Sequence, residues 1–537
     1  MRIDLTSEKR FTISQATRDY LKNLQDIVYL KIYLEGDGLP AGFTRLRNQV
    51  KDMLDEFRIY SKDNIQYEFV DPFGIHDVKA KREIATQLSK KGLNPTNLEI
   101  TTNDGKKAQQ IIFPGAILSY RGKEAPLDLL KNNLGATPEE NLNSSGESME
   151  YELINAIRKL TIVYKQKIAF IEGHGEIDKD HVADITEALS EYYSVNRVKI
   201  NGKLRSLDDY KAIVVAKPDS VFSEKDKFVI DQFIMKGGRA LWLIDAVKAD
   251  MDSLAYSSSV IALINQTNLD DQLFKYGVRI NPDLAQDIQS AMIPVNTALV
   301  GVPPKFVPAP WYYFPLLSPA QNNAITRNLN MIKAEFTSTI DTVGNDPKVK
   351  KTILLATSKY TKIVNAPLRI SLSMINEEPV QQQFNKSYKT VAVLLEGKFE
   401  SVFKNRLVPE ITESSEINYS PESRPTKMVV ISDGDMVRNI AKKTGTKSYH
   451  YPLGYDRYSG QMFGNRDFIM NVMNYMLDDA GLINVRTREL KMRLLDKVKV
   501  SEDLLFWQLF NTLVPVAFII LFGISIRYYR KKRYVKV

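Results

Sequence analysis

Two short segments carry the residue types from which a catalytic or ligand site could be built. Glu172-Gly173-His174-Gly175-Glu176 follows an apolar run and precedes a helical pattern, the place where open α/β sheets put ligand loops. His174 and Glu176, with His181 nearby, could gather round a metal or act as an acid–base pair. Their spacing, however, fits no strong metal signature such as H-E-x-x-H. The expectation is a structural or partner-facing loop made of Gly173, His174, Gly175 and Glu176. Met428 to Val437 reads MVVISDGDMV, a short match to the D-x-D motif of phosphatases in which the first Asp attacks phosphate and the second acts as acid/base. Only about seventy residues separate it from a membrane-like helix, too few for the rest of such an enzyme. Asp433, Gly434 and Asp435 are therefore expected to form a turn and cap at a strand end. Gly445-Thr446-Lys447-Ser448 resembles the end of a phosphate-binding loop but lacks its spacing and its upstream glycine, and there is no G-x-S-x-G elbow.

Composition narrows the chemistry further. The chain has 537 residues and no cysteine, which excludes disulfides, thiol nucleophiles, Fe–S clusters and Cys-type zinc sites; four histidines leave little for other metals. Hydrophobic residues at 44% and charged residues at 26% can build large buried cores. Six of the nine excess positive charges lie in Arg527 to Val537. A basic tail with no zinc finger, RNP-type motif or other basic helix gives no support for a nucleic-acid partner.

The elements that must position these residues fall into two α/β patterns. Residues 26–135 read β-α-β-α-β-β-α, beginning with strand Ile27 to Leu34 and helix Phe43 to Tyr60 and ending in a short helix near Leu127 to Asn132. That is the order of a thioredoxin-like fold, here a scaffold without redox cysteines, with Phe113-Pro114 a candidate cis bond. Residues 136–149, which include Thr137 to Ser148 (TPEENLNSSGES), are polar and turn-rich and read as a linker. From residue 150 to 480, apolar strands alternate with helices, as in a doubly wound sheet of flavodoxin or glutamine-amidotransferase type covered on both faces. Ser223 and Asp226 suit a helix start, and Gly237 its left-handed C-terminal position. Residues of about 245–425 form a long insertion, whose stretch Val302 to Pro319 (VPPKFVPAPWYYFPLLSP) is expected to be a buried irregular crossover.

Leu504 to Ile526 is uncharged over 23 residues, enough to cross a hydrocarbon layer of ~30 Å, and is flanked by Phe506, Trp507, Tyr528 and Tyr529. The basic residues 527–537 place the C-terminus in the cytoplasm by the positive-inside rule and the bulk of the chain outside. Residues 481–503 then form a juxtamembrane segment, and 1–25 a membrane-proximal one. Export of so large a body needs a signal, and MRIDLTSEKRFTISQ has no apolar core, so a native membrane helix is expected upstream of Met1.

Several strings taken together, RIDLTSEKRFTIS, IVYLKIYLEGDGLPAGFTRLRNQVKDMLDEFR, IAFIEGHGE, FVIDQFIMKGGRALWLID, VAVLLEGKFESVFKNR, ISDGDMVRN and GNRDFIMNVMNYML, resemble the gliding-motility-associated (GldG-like) ABC transporter auxiliary components of Bacteroidetes. The resemblance covers nearly the whole chain through the order and spacing of these strings. It implies a membrane subunit without catalytic residues or cofactor, working in the inner membrane with a separate ABC ATPase and a permease, in gliding motility and associated protein secretion. Its large extracytoplasmic body would engage a periplasmic partner or cargo. The alternative is an extracytoplasmic hydrolase or solute-binding protein using the 172–176 loop or the 433–435 turn.

Overall fold

The computed structural model describes residues 12–487 and 503–534, except 37–38, 75–76, 102–106, 258, 297, 299–301, 304, 345, 407–408, 410–418, 446 and 479. The chain divides into two compact units, a body ending at Arg488 and a second unit beginning at Glu489.

The body opens with α1 (Gln15–Lys22), β1 (Val28–Ile32), α2 (Ala41–Tyr60), β2 (Ile65–Phe69) and α3 (Val78–Lys90). The hairpin β3 (Thr96–Thr101) and β4 (Lys107–Ile112) follows, then β5 (Gly115–Tyr120) and β6 (Lys123–Asp128). Four of these strands form one sheet in the order β2-β1-β5-β6. β1 and β2 run parallel, with Val28 opposite Ile65, and β5 and β6 are antiparallel to their neighbours. The short helix expected near Leu127 to Asn132 is absent because Leu127 and Asp128 complete the β6 ladder opposite Ala116 and Gly115. The cis peptide among the described residues is Ala366–Pro367; Phe113–Pro114 is trans, as most X–Pro bonds are.

The expected linker at 136–149 is instead the first half of α4 (Pro138–Thr161). Thr137 and Glu140 form a capping box, with the Glu140 N–H donating to Thr137 Oγ1 (3.2 Å) and the Thr137 N–H to Glu140 Oε2 (2.6 Å), and Pro138 opens the helix. The small residues that suggested a loop serve close packing. A Cβ on Gly146 would lie 2.4 Å from Gln49 Oε1 of α2, and one on Gly42 would lie 2.6 Å from Leu142 Cδ1. Met149, Leu153, Ile154, Ile157 and Leu160 pack into the core of the first sheet. Tyr151 joins Ala324, Ile483 and Val485 on the other side.

Beyond α4, β7 (Lys167–Glu172), α5 (Ala183–Ser190), β8 (Ser194–Lys199), β9 (Ala212–Ala216), α6 (Glu224–Met235) and β10 (Arg239–Leu243) alternate as expected. Ser223 caps α6 by accepting from the Asp226 N–H, and Gly237 follows the helix at φ 97°. The insertion does not stand apart from this sheet. Its strands β11 (Ser290–Asn296), β12 (Phe306–Pro319), β13 (Val349–Ala356) and β14 (Thr390–Gly397) extend it on one side. β15 (Thr426–Ile431) returns beside β10, and the strand order is β11-β12-β13-β14-β15-β10-β9-β7-β8. Strands β15 to β8 are parallel and the rest antiparallel. Phe306–Pro319 of the proline-rich stretch is thus a 14-residue strand, with a break in its register against β11 between Pro310 and Pro315, rather than an irregular crossover, and Trp311, Tyr313 and Phe314 are buried within it.

Alternate side chains of each parallel strand enter opposite faces of the sheet. Phe170, Val214, Leu241 and Val429 meet α5 and α7 (Asn465–Leu477) on one face, while Ile213, Val215, Trp242 and Val430 meet α6 on the other. Residues 481–487 belong to the body rather than to a juxtamembrane segment: they form a 3-10 turn whose apolar Leu482, Ile483 and Val485 are buried. In the second unit, α8 (Leu504–Tyr534) is one apolar helix that continues through the basic residues, long and apolar enough to cross a membrane.

Because α4 is packed on two sides, Ile154→Ala is expected to cost about 2–5 kcal/mol, and Thr137→Ala about 1 kcal/mol through loss of the cap. Chemical denaturation of the full chain measures both; a silent Thr137→Ala would mean that residues 137–149 behave as a linker.

Candidate functional site

Parallel strands deliver their C-terminal ends to one edge of the sheet, and in the order β10-β9-β7-β8 the direction in which successive strands are added reverses between β9 and β7. Such a switch point opens a crevice where ligands bind in sheets of this kind. The 172–176 loop lies there, after β7. Gly173 and Gly175 have φ of 122° and 75°, and a Cβ on Gly175 would lie 1.7 Å from Asp219 Oδ1, so glycine is required at 175. The turn aims the His174 carbonyl at the N–H groups of Asp219 and Ser220, both 3.0 Å away in the loop after β9.

The His174 ring is clamped. Nδ1 lies 3.1 Å from Glu176 Oε1 and Nε2 3.2 Å from Asp226 Oδ2, and the imidazole stacks on Phe222 at 3.6 Å between centroids. Glu176 also accepts the His174 N–H at Oε2 (2.8 Å). Asp226 is held in turn by the Gly202 N–H (2.7 Å) and the Ser223 hydroxyl (2.9 Å). Burial disfavours the imidazolium, but the hydrogen bonds and charges of Glu176 and Asp226 outweigh it and raise the His174 pKa. A ring that donates from both nitrogens has no lone pair for a metal or for a substrate proton. His181 stands outside this clamp, paired with Asp178 Oδ2 at 2.7 Å.

The Asp433–Asp435 turn lies at the same edge, after β15. Asp433 is fully buried and accepts from the Glu335 N–H (2.7 Å) and the Asp435 N–H (2.8 Å), the cap role expected of it. Two residues that the motif did not reveal complete the cluster, Lys217 one residue and Asp245 two residues beyond the end of a strand. Lys217, after β9, adopts a left-handed backbone (φ 52°) and reaches Asp435 Oδ2 and, at 3.1 Å, Asp245 Oδ2. Asp245, after β10, also accepts the Gly434 N–H at 2.5 Å. Arg438 Nη1 approaches Asp435 Oδ1 at 3.5 Å. A signal for both was present in the sequence: a charged residue directly after an apolar run, Ala212 to Ala216 for Lys217 and Ala240 to Ile244 for Asp245. Gly434 is needed because a Cβ there would meet Lys217 Cβ at 2.6 Å.

Lys217 therefore supplies the positive charge that a divalent ion would bring to an acidic pair, and both Asp433 oxygens are engaged by backbone donors. Burial, reinforced by Asp245 and Asp435, pushes the Asp433 carboxyl well above the usual range. Burial also pushes Asp435 up to about 6 despite the opposing Lys217. An attacking carboxylate must instead be ionised and open to its substrate. Asn439, just beyond the turn, links it to the β7–α5 connection, its N–H donating to the His181 carbonyl (2.8 Å) and its amide to the Asp180 carbonyl (3.0 Å). No hydrogen bond or ion pair joins His174 to Asp433 or Asp435 among the described residues. Gly445 and Lys447 belong to the hairpin β16 (Ala441–Thr444) and β17 (Lys447–His450), not to a loop opening a helix.

The family model described as an ABC-type uncharacterized transport system, the ABC transporter auxiliary family, matches residues 165–472, from the start of the large sheet into α7 and through both charge clusters. The chain belongs to this family. Residues 7–119 match a domain of unknown function, DUF7088. An uncharacterized protein of Borreliella burgdorferi is 21% identical over 553 residues, covering 99% of this chain and 94% of that protein. Among solved structures, the mmIFT52 N-terminal domain matches 58% of this chain and 97% of its own at 13% identity, with a TM-score of 0.33, too low to carry an argument. Family membership and α8 together describe a membrane-anchored auxiliary protein of an ABC transport system.

Two outcomes test these clusters. His174 and Asp435 both have raised pKa values, so each contributes stability that is lost as pH rises: Asp435 between about 4 and about 6, and His174 from about 6.5 upward. Denaturation midpoints measured across this range should fall with pH, less steeply for Asp435→Asn at the acid end and for His174→Gln at the alkaline end. Lys217→Met strands buried carboxylates and should cost about 3–5 kcal/mol, measured in the same way; near-wild-type stability would show that the cluster does not depend on its ammonium.

Proposed function

We propose that the protein is a non-catalytic, membrane-anchored subunit that works with a separate ABC ATPase and permease, its body outside the cytoplasm and its C-terminus inside. The observation that carries the non-catalytic reading is the commitment of both candidate clusters to internal bonds: His174 lies between two carboxylates, and Lys217 between Asp245 and Asp435. The basic end of α8 supports the orientation. Within this reading, the sheet β2-β1-β5-β6 is a thioredoxin-like binding scaffold without redox chemistry, and the five parallel strands form a flavodoxin-like domain. Both would engage a periplasmic partner or cargo, in gliding motility and associated secretion. A body of this kind transmits permease motion only if it contacts its partner differently in two states.

The test is isolation of the full-length protein from its native membrane. An ATPase and a permease are expected to accompany it, and the protein alone is expected to turn over neither ATP nor phosphate esters with Mg²⁺. Turnover that Asp433→Asn abolishes while circular dichroism is unchanged would establish an enzyme and overturn this reading.

A further inference from the structure

Arg438 to Arg466 contains six lysines and arginines and one acid, Asp456. Asp456 is buried and accepts the Ser459 N–H at 3.1 Å. Three of the cations are tied to the body: Arg438 to Asp252 (2.7 Å), Lys443 to Asp180 (3.2 Å) and Arg466 to Asp184 (3.4 Å). Lys442 and Arg457 have no carboxylate within ion-pair distance among the described residues, and both are exposed.

The register of the hairpin sorts these side chains. Lys442 stands opposite Tyr449, and Lys443 opposite Ser448. The pairing of Lys443 with Asp180 and of His450 with Glu187 (3.4 Å) turns that face toward the body, so Lys442 and Tyr449 point away from it. The outward face continues into the next loop. The Tyr451 N–H donates to the Ile440 carbonyl (2.9 Å) at the base of the hairpin, and its ring stacks on Tyr455 at 5.5 Å. Tyr455 is bridged to Met462, and the Arg457 guanidinium lies 4.6 Å over the Tyr458 ring. Tyr449, Tyr451, Tyr458 and Met462 are all 40–56% exposed.

We propose that this face, formed by Lys442, Tyr449, Tyr451, Arg457, Tyr458 and Met462, docks on the anionic phospholipid headgroups of the bilayer in which α8 is anchored. The proposal rests on the membrane-anchor reading above. Phenol rings with a wet tip and an apolar body partition to the headgroup level, and unpaired Lys and Arg are drawn to anionic lipid. The body is also covalently tethered to α8, so a headgroup surface is present at high effective concentration, and a weak patch suffices as the second of two membrane signals.

The absence of cysteine makes the test clean. Thr444 is exposed and two residues from Lys442 on the same face of the strand, so Thr444→Cys takes an environment-sensitive NBD label without removing a patch residue. The labelled full-length chain is reconstituted in phosphatidylcholine vesicles with or without phosphatidylglycerol. Expected is a severalfold stronger, blue-shifted emission with phosphatidylglycerol. The signal should revert at about 1 M salt, where the Debye length is about 3 Å, and should be absent in the Lys442→Glu, Arg457→Glu double variant with unchanged circular dichroism. Equal emission in both lipids, or a signal indifferent to the double variant, would overturn the proposal. So would a response that appears only on adding polyglutamate, which would mark an acidic polypeptide as the partner. Flotation with the vesicles separates the two readings: a chain that does not float fails as a membrane anchor, whereas one that floats without an emission change fails only in this docking surface.

Discussion

The body depends first on α4, which is apolar on two sides that must be covered at once. Ile154 and Ile157 enter the core beneath the first sheet, while Tyr151 meets Ile483 and Val485 from the far end of the body. The ion pair of Lys131 with Glu152 (2.8 Å) and the Arg486 guanidinium 5.1 Å over the Tyr151 ring sit on the same helix. α4 closes the core of the small sheet and meets Ala324 and the Leu482–Thr487 turn through Tyr151, and the chain up to Arg488 is a single compact unit. The turn Leu482–Thr487 is drawn into the body for the same reason, since Leu482 closes the first core and Ile483 the second contact.

A second constraint acts at the carboxyl edge of the large sheet. Buried charge is costly unless it is paired and hydrogen-bonded, and five parallel strands bring their loops to one edge. The result is two self-contained clusters. In one, an imidazole lies between Glu176 and Asp226; in the other, an ammonium lies between Asp245 and Asp435. The crevice that the topology opens is occupied by the protein's own side chains. The charges lock β9, β10 and β15 to one another and the loop after β7 to α6, and the Glu335 N–H on Asp433 ties the insertion to the first of these points. A locked edge of this kind suits a rigid body that presents surfaces to partners.

The sequence by itself determined the local elements and the membrane helix. Apolar spacing marked α2 and α6, Ser223, Asp226 and Gly237 marked the ends of α6, and uncharged length marked α8. It also identified Gly173 to Glu176 and Asp433 to Asp435 as strand-end loops, because turn residues directly after an apolar run have few other uses. Period and capping are properties of neighbours in the chain, so they survive without a structure.

What only the tertiary structure decided was which groups meet. His174 finds Asp226 52 residues away, and Lys217 finds Asp435 218 residues away; no local pattern encodes either pairing. Polar, turn-rich composition misread residues 137–148 as a linker, because Ser145, Gly146 and Ser148 look like loop residues until α2 packs against them. The T-x-x-E box at Thr137 and Glu140 was the overlooked local signal. The prolines from Pro308 to Pro319 argued against a strand until its partners could be seen. Secondary structure follows from spacing along one segment, whereas burial, pairing and the fate of each charge follow from the segment packed on top of it.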